Sequence, residues 1–235
     1  MNTFEQLICI ITGTITRIIP EGLSQFVDSV LDFAYVQVMG LPFVVLGYRQ
    51  TGKTTLLEWL KNDMDMMEDF EPDPTAAGGD AVPRMNTDVA GENVKVRARR
   101  DVGGEYAMWE TDWLDLYREA KPRGIIFMLD HSNVYQHKDA LNFMFQMIDD
   151  ERDASKALQM VVLLVNKADL WEDDMNLDDV LDDYRNEIRR LKSQSERLGY
   201  AYRIYASSLV EPDKYRLSVV MAEFFNAIRP RPKSI

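Results

Sequence analysis

Gly47-Tyr48-Arg49-Gln50-Thr51-Gly52-Lys53-Thr54, residues 47–54, directly follows the apolar run Phe43-Val44-Val45-Leu46. Such a run predicts a buried strand, and the G-x-x-x-x-G-K-T pattern behind it predicts a loop that leads into a helix. The two glycines let the backbone curl so that successive N–H groups point at an anion. The helix that begins near Lys53 adds the positive end of its dipole. The stretch therefore predicts a phosphate-binding loop, in which Lys53 contacts the terminal phosphates and Thr54 coordinates Mg²⁺.

A second motif indicates which base is bound. The apolar run 161–165 predicts a strand buried on both faces, and Asn166-Lys167-Ala168-Asp169 follows it directly. A carboxylate can accept two hydrogen bonds from guanine, whereas adenine offers no such pair of donors. The segment resembles the guanine-reading N-K-x-D motif of GTPases, which implies that Asp169 recognises guanine, that Lys167 lies over the base and braces the phosphate loop, and that Asn166 ties the two loops together. An ordinary turn at a strand end is the alternative, because these residue types are common there.

Two further segments fall in the matching order along the chain. Asp101-Val102-Gly103-Gly104 ends an alternating run, which places the Asp101 carboxylate in the outer coordination sphere of Mg²⁺ and lets the Gly104 N–H approach a γ-phosphate. Near the end of the chain, Ala206-Ser207-Ser208 follows a predicted strand. This segment is similar to the turn of small residues that GTPases place against the guanine oxygen, which implies that role for Ser207 and Ser208.

With these four segments the chain resembles a Ras-superfamily small GTPase, and the Arf-like branch is the nearest fit. D-V-G-G is the form that this branch uses, and residues 124–132 resemble its fourth strand, which ends in an aspartate and a serine. Residues 138–169 are also similar, and the resemblance extends over residues 41–228. It implies a P-loop NTPase of the α/β class, with GTP or GDP and Mg²⁺ as cofactors and hydrolysis of GTP as the activity.

The order of predicted elements agrees with that fold class. Strands that alternate with helices indicate a mostly parallel six-stranded sheet with helices on both faces, and the strand 84–90 would be an antiparallel edge strand. The predicted strands are 43–47, 84–90, 94–101, 123–130, 159–166 and 200–206. The predicted helices are 53–62, 110–120, 138–153, 176–198 and 213–228. We divide the chain into an N-terminal helical extension (1–40), a GTPase domain (41–228) and a C-terminal tail (229–235).

Two residues depart from the family pattern at the expected catalytic centre. Glu105 stands where the family has a glutamine that orients the attacking water, so hydrolysis is expected to be slow or altered, or to use Glu105 as a base. Arg49 stands where Ras-like proteins have a small residue. It either folds over the γ-phosphate as an arginine supplied in cis, or points outward to solvent. The catalytic candidates are Glu105, Arg49, Lys53 and Gly104.

The threonine of the first switch, which would also bind Mg²⁺, has two candidates. Thr75 lies in a pattern similar to the Arf-type P-T-x-G, whereas Thr87 lies inside a predicted strand, so we prefer Thr75. The surrounding segment 69–83 is predicted to be a mobile loop. The metal candidates are Thr54, Thr75 and Asp101. The residues expected to contact the nucleotide are Gly47, Arg49, Gln50, Thr51, Gly52, Lys53, Thr54, Thr55, Asn166, Lys167, Asp169, Ser207 and Ser208.

Composition limits the partners. The net charge of −12 over 235 residues argues against nucleic acid or an anionic membrane surface. The single cysteine, Cys9, fits a reducing compartment, so we expect a cytoplasmic protein, with peripheral attachment to a membrane or complex as a second expectation. No run reaches the roughly 20 apolar residues of a transmembrane helix, and no signal peptide is evident. The acidic segment 172–183 predicts either a solvated helix face or a docking patch for a basic partner.

The N-terminal residues and two tryptophans leave alternatives open. Apolar residues at helical spacing in residues 7–34 predict helices that pack on the domain or on a partner; membrane contact is the less favoured alternative, because residue 2 is Asn and cannot be myristoylated. Trp109 and Trp113 share a face of a predicted helix, which is either core or an effector surface.

Three functions are compatible with these motifs. The first is a regulatory switch that hydrolyses GTP and acts on a protein effector or regulator through its switch loops. The second is a nucleotide-locked interaction or assembly subunit with little or no turnover, which Glu105 keeps open. A P-loop kinase is disfavoured, because the N-K-x-D motif has no role there.

Overall fold

The computed structural model describes residues 36, 38–65, 73, 75–89 and 92–230, with the backbone alone at residues 88, 89 and 92. The predicted N-terminal helices lie outside these residues, except that residues 36, 38 and 39 are helical. The predicted C-terminal tail lies outside them beyond residue 230. Over the described stretches, the longest apolar helix falls short of what is needed to cross a membrane.

A six-stranded sheet forms the centre of the molecule. Its strands are β1 Leu41–Gly47, β3 Met85–Val89, β4 Glu92–Arg97, β6 Gly124–Leu129, β7 Met160–Val165 and β8 Ala201–Ala206. Their order across the sheet is β3-β4-β1-β6-β7-β8, and all neighbouring pairs are parallel except β3 and β4, so β3 is an antiparallel edge strand. The predicted α/β architecture is confirmed, including the antiparallel edge strand.

Helices cover both faces of this sheet, because its central strands carry apolar side chains on both sides. The helices are α1 Lys53–Lys61, α2 Tyr106–Met108, α3 Leu114–Ala120, α4 Val134–Asp150, α5 Arg152–Ser155, α6 Leu177–Asp182, α7 Arg185–Leu198 and α8 Leu217–Ile228. Successive residues of β1 alternate between two apolar clusters, as the period of a strand requires. Val44 and Leu46 pack with α3, α4 and α7, whereas Phe43 and Val45 pack with α1 and α8.

The predicted strand 94–101 is wrong in one respect, because it is broken near its end. β4 ends at Arg97, and Arg99 has a positive φ of 65°, which turns the chain out of the ladder. The next two residues form β5, Arg100–Asp101, which pairs antiparallel with β2, Asp80–Ala81, a short strand inside the predicted loop. This second, two-stranded sheet brings the segment around Thr75 towards Asp101.

Two predicted helices also differ from the structure. The helix predicted over 176–198 is interrupted between α6 and α7 at Tyr184, whose buried hydroxyl donates to the Asp130 carbonyl at 3.4 Å. The helix predicted to begin at 110 begins at Tyr106 and contains a π-helical turn, Trp109–Trp113, between α2 and α3. In both places, contacts with distant parts of the chain override the regular local period.

The parallel strands β1, β6, β7 and β8 all end at the same edge of the sheet. The loops that follow them are the phosphate loop and the segments that begin at Asp130, Asn166 and Ser207. Open α/β sheets bind ligands at this edge, because the strand ends and helix N-termini converge there.

Candidate nucleotide-binding site

The phosphate loop has the backbone curl that its sequence predicts. Gln50 and Gly52 have positive φ angles of 61° and 96°. A Cβ atom on Gly52 would lie 2.7 Å from Asn166 Nδ2, so a larger residue there would push the two loops apart. Among the described residues no side chain caps the N-terminus of α1, so its first N–H groups are available to an anion.

Lys53 is almost fully buried at the start of α1, and its ammonium donates to the Tyr48 carbonyl at 3.0 Å. Burial lowers the pKa of Lys53 to about 8, against an opposing effect of the nearby Asp101 carboxylate. The Thr51 hydroxyl donates to the same carbonyl at 2.9 Å. A lysine held over the loop in this way is placed to contact phosphate oxygens, whose charge would favour its protonated form.

Three oxygen-bearing side chains from separate segments meet beside the loop. Thr54 Oγ1 donates to Asp101 Oδ2 at 2.6 Å, and Thr75 Oγ1 donates to the same atom at 3.2 Å. The two hydroxyls lie 3.3 Å apart. Thr87, the other candidate for the switch threonine, is buried in β3 with its hydroxyl directed at Met64 Sδ. The structure thus brings together the three predicted metal candidates and leaves Thr87 out.

The D-V-G-G turn lies directly on the phosphate loop. A Cβ atom on Gly104 would lie 2.4 Å from the backbone nitrogen of Arg49, so only glycine fits this approach. The guanidinium of Arg49 lies 4.0 Å from the Glu105 carboxylate, and both side chains are more than half exposed. The two residues that depart from the family pattern therefore face each other across the mouth of the pocket. This pocket is lined by Arg49, Gln50, Gly52, Lys53, Thr54, Thr55, Asp73, Thr75, Gly104 and Glu105.

The segments predicted to bind guanine lie at the ends of β7 and β8. Asn166 Nδ2 donates to the Thr51 carbonyl at 2.9 Å, as expected for a residue that ties the two loops together. Ser207 is hydrogen-bonded to Asn166 Oδ1 at 3.3 Å. The Ser208 hydroxyl accepts two backbone N–H groups of the next turn, from Val210 and Glu211, so it stabilises this turn internally. Asp169 lies in a 3₁₀ turn beside them, half-buried.

Asp130, at the end of β6, is a residue whose role at the site the sequence did not reveal. It is buried and accepts hydrogen bonds from the Lys167 ammonium at 2.7 Å and from the Ser132 N–H at 2.9 Å. His137 Nε2 lies 3.1 Å from Asp130 Oδ1, the oxygen that also accepts the Ser132 N–H, and the His137 ring packs edge-on against Tyr48 of the phosphate loop. Lys167 is thus linked to the phosphate loop through Asp130 and His137 rather than by a direct hydrogen bond. The only signal in the sequence was an acid at a strand end.

Burial of Asp130 by itself would raise the pKa of its carboxyl group. Hydrogen bonds from His137, Lys167 and Ser132, together with the Lys167 charge, outweigh burial, so the pKa is held far below its ordinary value. Asp130 therefore remains a carboxylate at neutral pH and holds the Lys167 ammonium in place.

Three more residues contact the site although the sequence did not predict them as site residues. Asp73 lines the pocket near Thr75. Trp109 and Trp113 are buried, and their indole N–H groups donate to the carbonyls of Gly104 and Gly103. Both tryptophans are therefore core residues, and they also contact the D-V-G-G turn. The spacing showed that they share a face but not which groups their indole nitrogens reach.

Comparison with known proteins agrees with this geometry. The sequence profile of the ADP-ribosylation factor family matches residues 28–208, about three quarters of the chain. The matched range includes the phosphate loop, the D-V-G-G turn and the N-K-x-D motif. A search of curated proteins finds no match.

Among solved structures, the chain is similar in fold to the small GTPase Arl6 (BBS3) from Trypanosoma brucei, determined with the bound nucleotide analogue GppNp. The superposition covers 81% of this chain and 99% of that chain, with a TM-score of 0.53 and 17% sequence identity. At this identity the likeness concerns the fold alone. The profile match, supported by this fold, shows that the chain belongs to the ADP-ribosylation factor family, within the Ras superfamily of small GTPases.

Proposed function

We propose that this chain is a regulatory switch that binds GTP, hydrolyses it to GDP with Mg²⁺, and signals through the segments around Thr75 and Gly104. The observation that carries the proposal is the cluster of Thr54, Thr75 and Asp101, whose oxygens lie within 3.3 Å of one another. In GTP-dependent switches, the γ-phosphate and its Mg²⁺ order two such segments and release them on hydrolysis. Partner proteins that bind these segments would then distinguish the two nucleotide states.

The donor atoms present fit Mg²⁺. Mg²⁺ prefers hydroxyl, carboxylate and phosphate oxygens and retains several waters. Asp101 Oδ1 is buried and has no hydrogen-bond partner among the described residues, so it is available to a hydrated cation. Thr54 and Thr75 would hold the ion, and Asp101 would hold one of its waters. Bound Mg²⁺ supplies neutralisation of charge on the β- and γ-phosphates.

The remaining residues divide into a phosphate end and a base end. The phosphate loop and Lys53 would hold the β- and γ-phosphates, and the Gly104 N–H would contact the γ-phosphate. Asp169 would recognise guanine, with Lys167 over the base and the turn at Ser207 closing the pocket. Hydrolysis transfers the γ-phosphoryl group to water, so these residues act mainly by positioning and by neutralising charge.

Arg49 and Glu105 are proposed to act at the γ-phosphate as a pair. An exposed ion pair of this kind is worth about 0–1 kcal/mol, so Arg49 can leave Glu105 for a phosphate at little cost. Arg49 would then neutralise charge that develops in the transition state, while Glu105 accepts a hydrogen bond from the attacking water.

The same pair supports the alternative, a nucleotide-locked subunit with little or no turnover. If Arg49 stays with Glu105, the arginine does not reach the γ-phosphate, and the glutamate adds negative charge near it. GTP would then stabilise an assembly surface permanently, and its hydrolysis would not end a signal.

Single-turnover hydrolysis separates the two functions. We expect purified protein to retain guanine nucleotide and to convert bound GTP to GDP when Mg²⁺ is added, with Arg49→Ala at least tenfold slower. Retained GTP that is not hydrolysed would favour the locked subunit, and an unchanged rate in Arg49→Ala would exclude the arginine from catalysis.

The base assignment has its own test. Asp169→Asn should shift preference from GTP towards XTP, because the amide NH₂ can donate to the xanthine oxygen that replaces the exocyclic amine of guanine. Binding of GTP and XTP by this variant can be compared by competition with a fluorescent nucleotide. No shift in preference would contradict the guanine assignment.

A further inference from the structure

Two buried indoles hold consecutive carbonyl groups of the D-V-G-G turn. Trp113 Nε1 donates to the Gly103 carbonyl at 2.8 Å, and Trp109 Nε1 donates to the Gly104 carbonyl at 3.0 Å. Both side chains are essentially inaccessible to solvent, so water does not compete for these bonds. The turn is therefore held from its core side by two directional hydrogen bonds.

The π-helical turn is what presents both rings to the same short segment. Trp109 and Trp113 are its first and last residues, and their ring centroids are 5.5 Å apart with planes inclined by 33°. The rings thus lie side by side and reach two consecutive carbonyls in reverse order, Trp109 that of Gly104 and Trp113 that of Gly103. Single π-turns inside α-helices occur frequently at functional sites.

A peptide group is planar and trans, so its C=O and N–H point in opposite directions. The bond from Trp113 to the Gly103 carbonyl therefore also fixes the direction of the Gly104 N–H, which faces away from the tryptophan. In the same way, the bond from Trp109 to the Gly104 carbonyl fixes the Glu105 N–H. Glycine has little intrinsic preference among backbone conformations, so the orientation of these peptides depends on such external contacts.

Gly104 also borders the nucleotide pocket and the phosphate loop. It approaches the phosphate loop so closely that a Cβ atom would lie 2.4 Å from Tyr48 C and Arg49 N. A Cβ atom on Gly103 would collide with Met108 Sδ, so the neighbouring glycine is confined as well. The turn lies between the indoles and the loop.

We propose that Trp113 is a positioning residue that holds the Gly104 N–H ready for the γ-phosphate, and that Trp109 supports the adjoining peptide that carries Glu105. The inference rests on the proposed function, because it concerns how GTP is distinguished from GDP. Only GTP has a γ-phosphate, so an amide fixed in advance favours GTP and does not affect GDP. Without the indole bond, the peptide would have to be ordered when GTP binds, which weakens GTP binding.

The test is Trp113→Phe, which removes the indole N–H and keeps an aromatic ring in the core. We expect the variant to bind a non-hydrolysable GTP analogue about tenfold more weakly in the presence of Mg²⁺, with GDP affinity changed less than about twofold. Trp109→Phe should give a smaller loss for the analogue. Affinities are measured by titration calorimetry on protein freed of its nucleotide.

Trp59→Phe is the matched control. Trp59 is also buried, but it lies in the cluster on the other face of the sheet, and its Nε1 has no hydrogen-bond partner among the described residues. We expect this variant to keep the wild-type ratio of the two affinities. Because only the ratio is compared, a general loss of stability does not imitate the expected result.

A second replacement covers the case in which Trp113→Phe does not fold. At position 113, a tryptophan analogue with sulfur in place of the indole nitrogen has nearly the same shape as tryptophan and lacks only the N–H donor. Equal weakening of GDP and GTP analogue, or no weakening of either, would overturn the inference while the wild type still binds both. Failure of the wild type to bind any guanine nucleotide would overturn the proposed function and this inference with it.

Discussion

At the scale of residues, Arg49 and Glu105 are the two side chains of the site that depart from the family pattern. At most positions of the phosphate loop, a glycine permits the backbone conformation or a side chain donates a hydrogen bond to a backbone carbonyl of the loop. Arg49 and Glu105 instead place two opposite charges at the pocket mouth, 4.0 Å apart. Because both are exposed, either can move to a phosphate or to water without leaving a buried charge unpaired. Under the proposed function, their arrangement with nucleotide bound would decide between turnover and a locked state.

The choice between two threonines gives a direct prediction. Thr75→Ala removes a hydroxyl from the cluster with Thr54 and Asp101. The factor by which Mg²⁺ increases the affinity for a GTP analogue should therefore be about tenfold smaller than in the wild type. Thr87→Ala is the control, because its hydroxyl faces Met64 in the core. It should lower stability but leave the Mg²⁺ dependence unchanged. Titrations at several Mg²⁺ concentrations check both variants, and the reverse outcome would reassign the switch threonine.

The lowered pKa of Asp130 leads to a prediction about pH. The folded protein holds the pKa of the Asp130 carboxyl below its ordinary value of 3.8. Its contribution to the free energy of unfolding is therefore complete above about pH 4 and is lost as the pH falls further. Asp130→Asn should cost about 1–3 kcal/mol at pH 5 to 7, because Lys167 and His137 lose a buried carboxylate. The difference from wild type should shrink below about pH 4.

Urea unfolding between pH 3 and pH 7 measures this difference. Asp153→Asn is the control, because Asp153 also pairs with a lysine but is exposed, and it should change stability little. A difference between wild type and Asp130→Asn that stays constant down to pH 3 would show that the carboxylate charge is not what stabilises this network.

At the scale of elements, the ends of the parallel strands organise the site. β1 carries the phosphate loop, β6 carries Asp130, β7 carries Asn166 and Lys167, and β8 carries Ser207. Because these strands are adjacent and parallel, a hydrogen bond such as that from Asn166 to Thr51 links residues far apart in the chain. The sheet therefore fixes where these segments lie relative to one another.

The opposite end of β6 offers a test of packing alone. A Cβ atom on Gly124 would lie 2.4 Å from the Phe224 ring of α8, so Gly124→Ala should destabilise the protein by about 1–3 kcal/mol through overpacking. The same change in a Phe224→Leu background should cost less, because the shorter side chain makes room. Denaturant unfolding of the four proteins gives the coupling. Equal costs in both backgrounds would mean that the ring is not the obstacle.

At the scale of the whole molecule, the core and the site are largely separate. Two apolar clusters cover the two faces of the sheet, while the polar site occupies one edge. Lys53 is buried, and Asp101 Oδ1 has no hydrogen-bond partner in the described part of the chain; the apolar clusters must offset the free-energy cost of both groups when no ligand is present. Nucleotide and Mg²⁺ would provide partners for both groups.

Because nucleotide and Mg²⁺ would bind these buried polar groups, they should increase the free energy of unfolding. GDP with Mg²⁺ at about a thousand times its dissociation constant should stabilise the fold by about 4 kcal/mol and raise the melting temperature by about 10 °C. Thermal unfolding with increasing GDP checks this, and a chelator should reduce the shift. ATP is the control, and equal stabilisation by ATP would contradict guanine specificity.

Local patterns in the sequence predict the fold class, the order of the six main strands along the chain and the segments that meet at the candidate site. These features depend on local rules: apolar runs predict buried strands, and glycines at fixed spacing predict loops that approach a phosphate. The preference for Thr75 over Thr87 also followed from local pattern, since Thr87 lies within a strand.

Which distant groups meet depends on how the chain packs in three dimensions. The break at Arg99, the interruption at Tyr184 and the π-turn of Trp109–Trp113 each depart from the local period, because a contact elsewhere in the chain outweighs it. Likewise, no spacing shows that Asp130 holds Lys167, or that two indoles hold the glycine carbonyls. A hydrogen bond between groups far apart in sequence exists only once packing has fixed both of them.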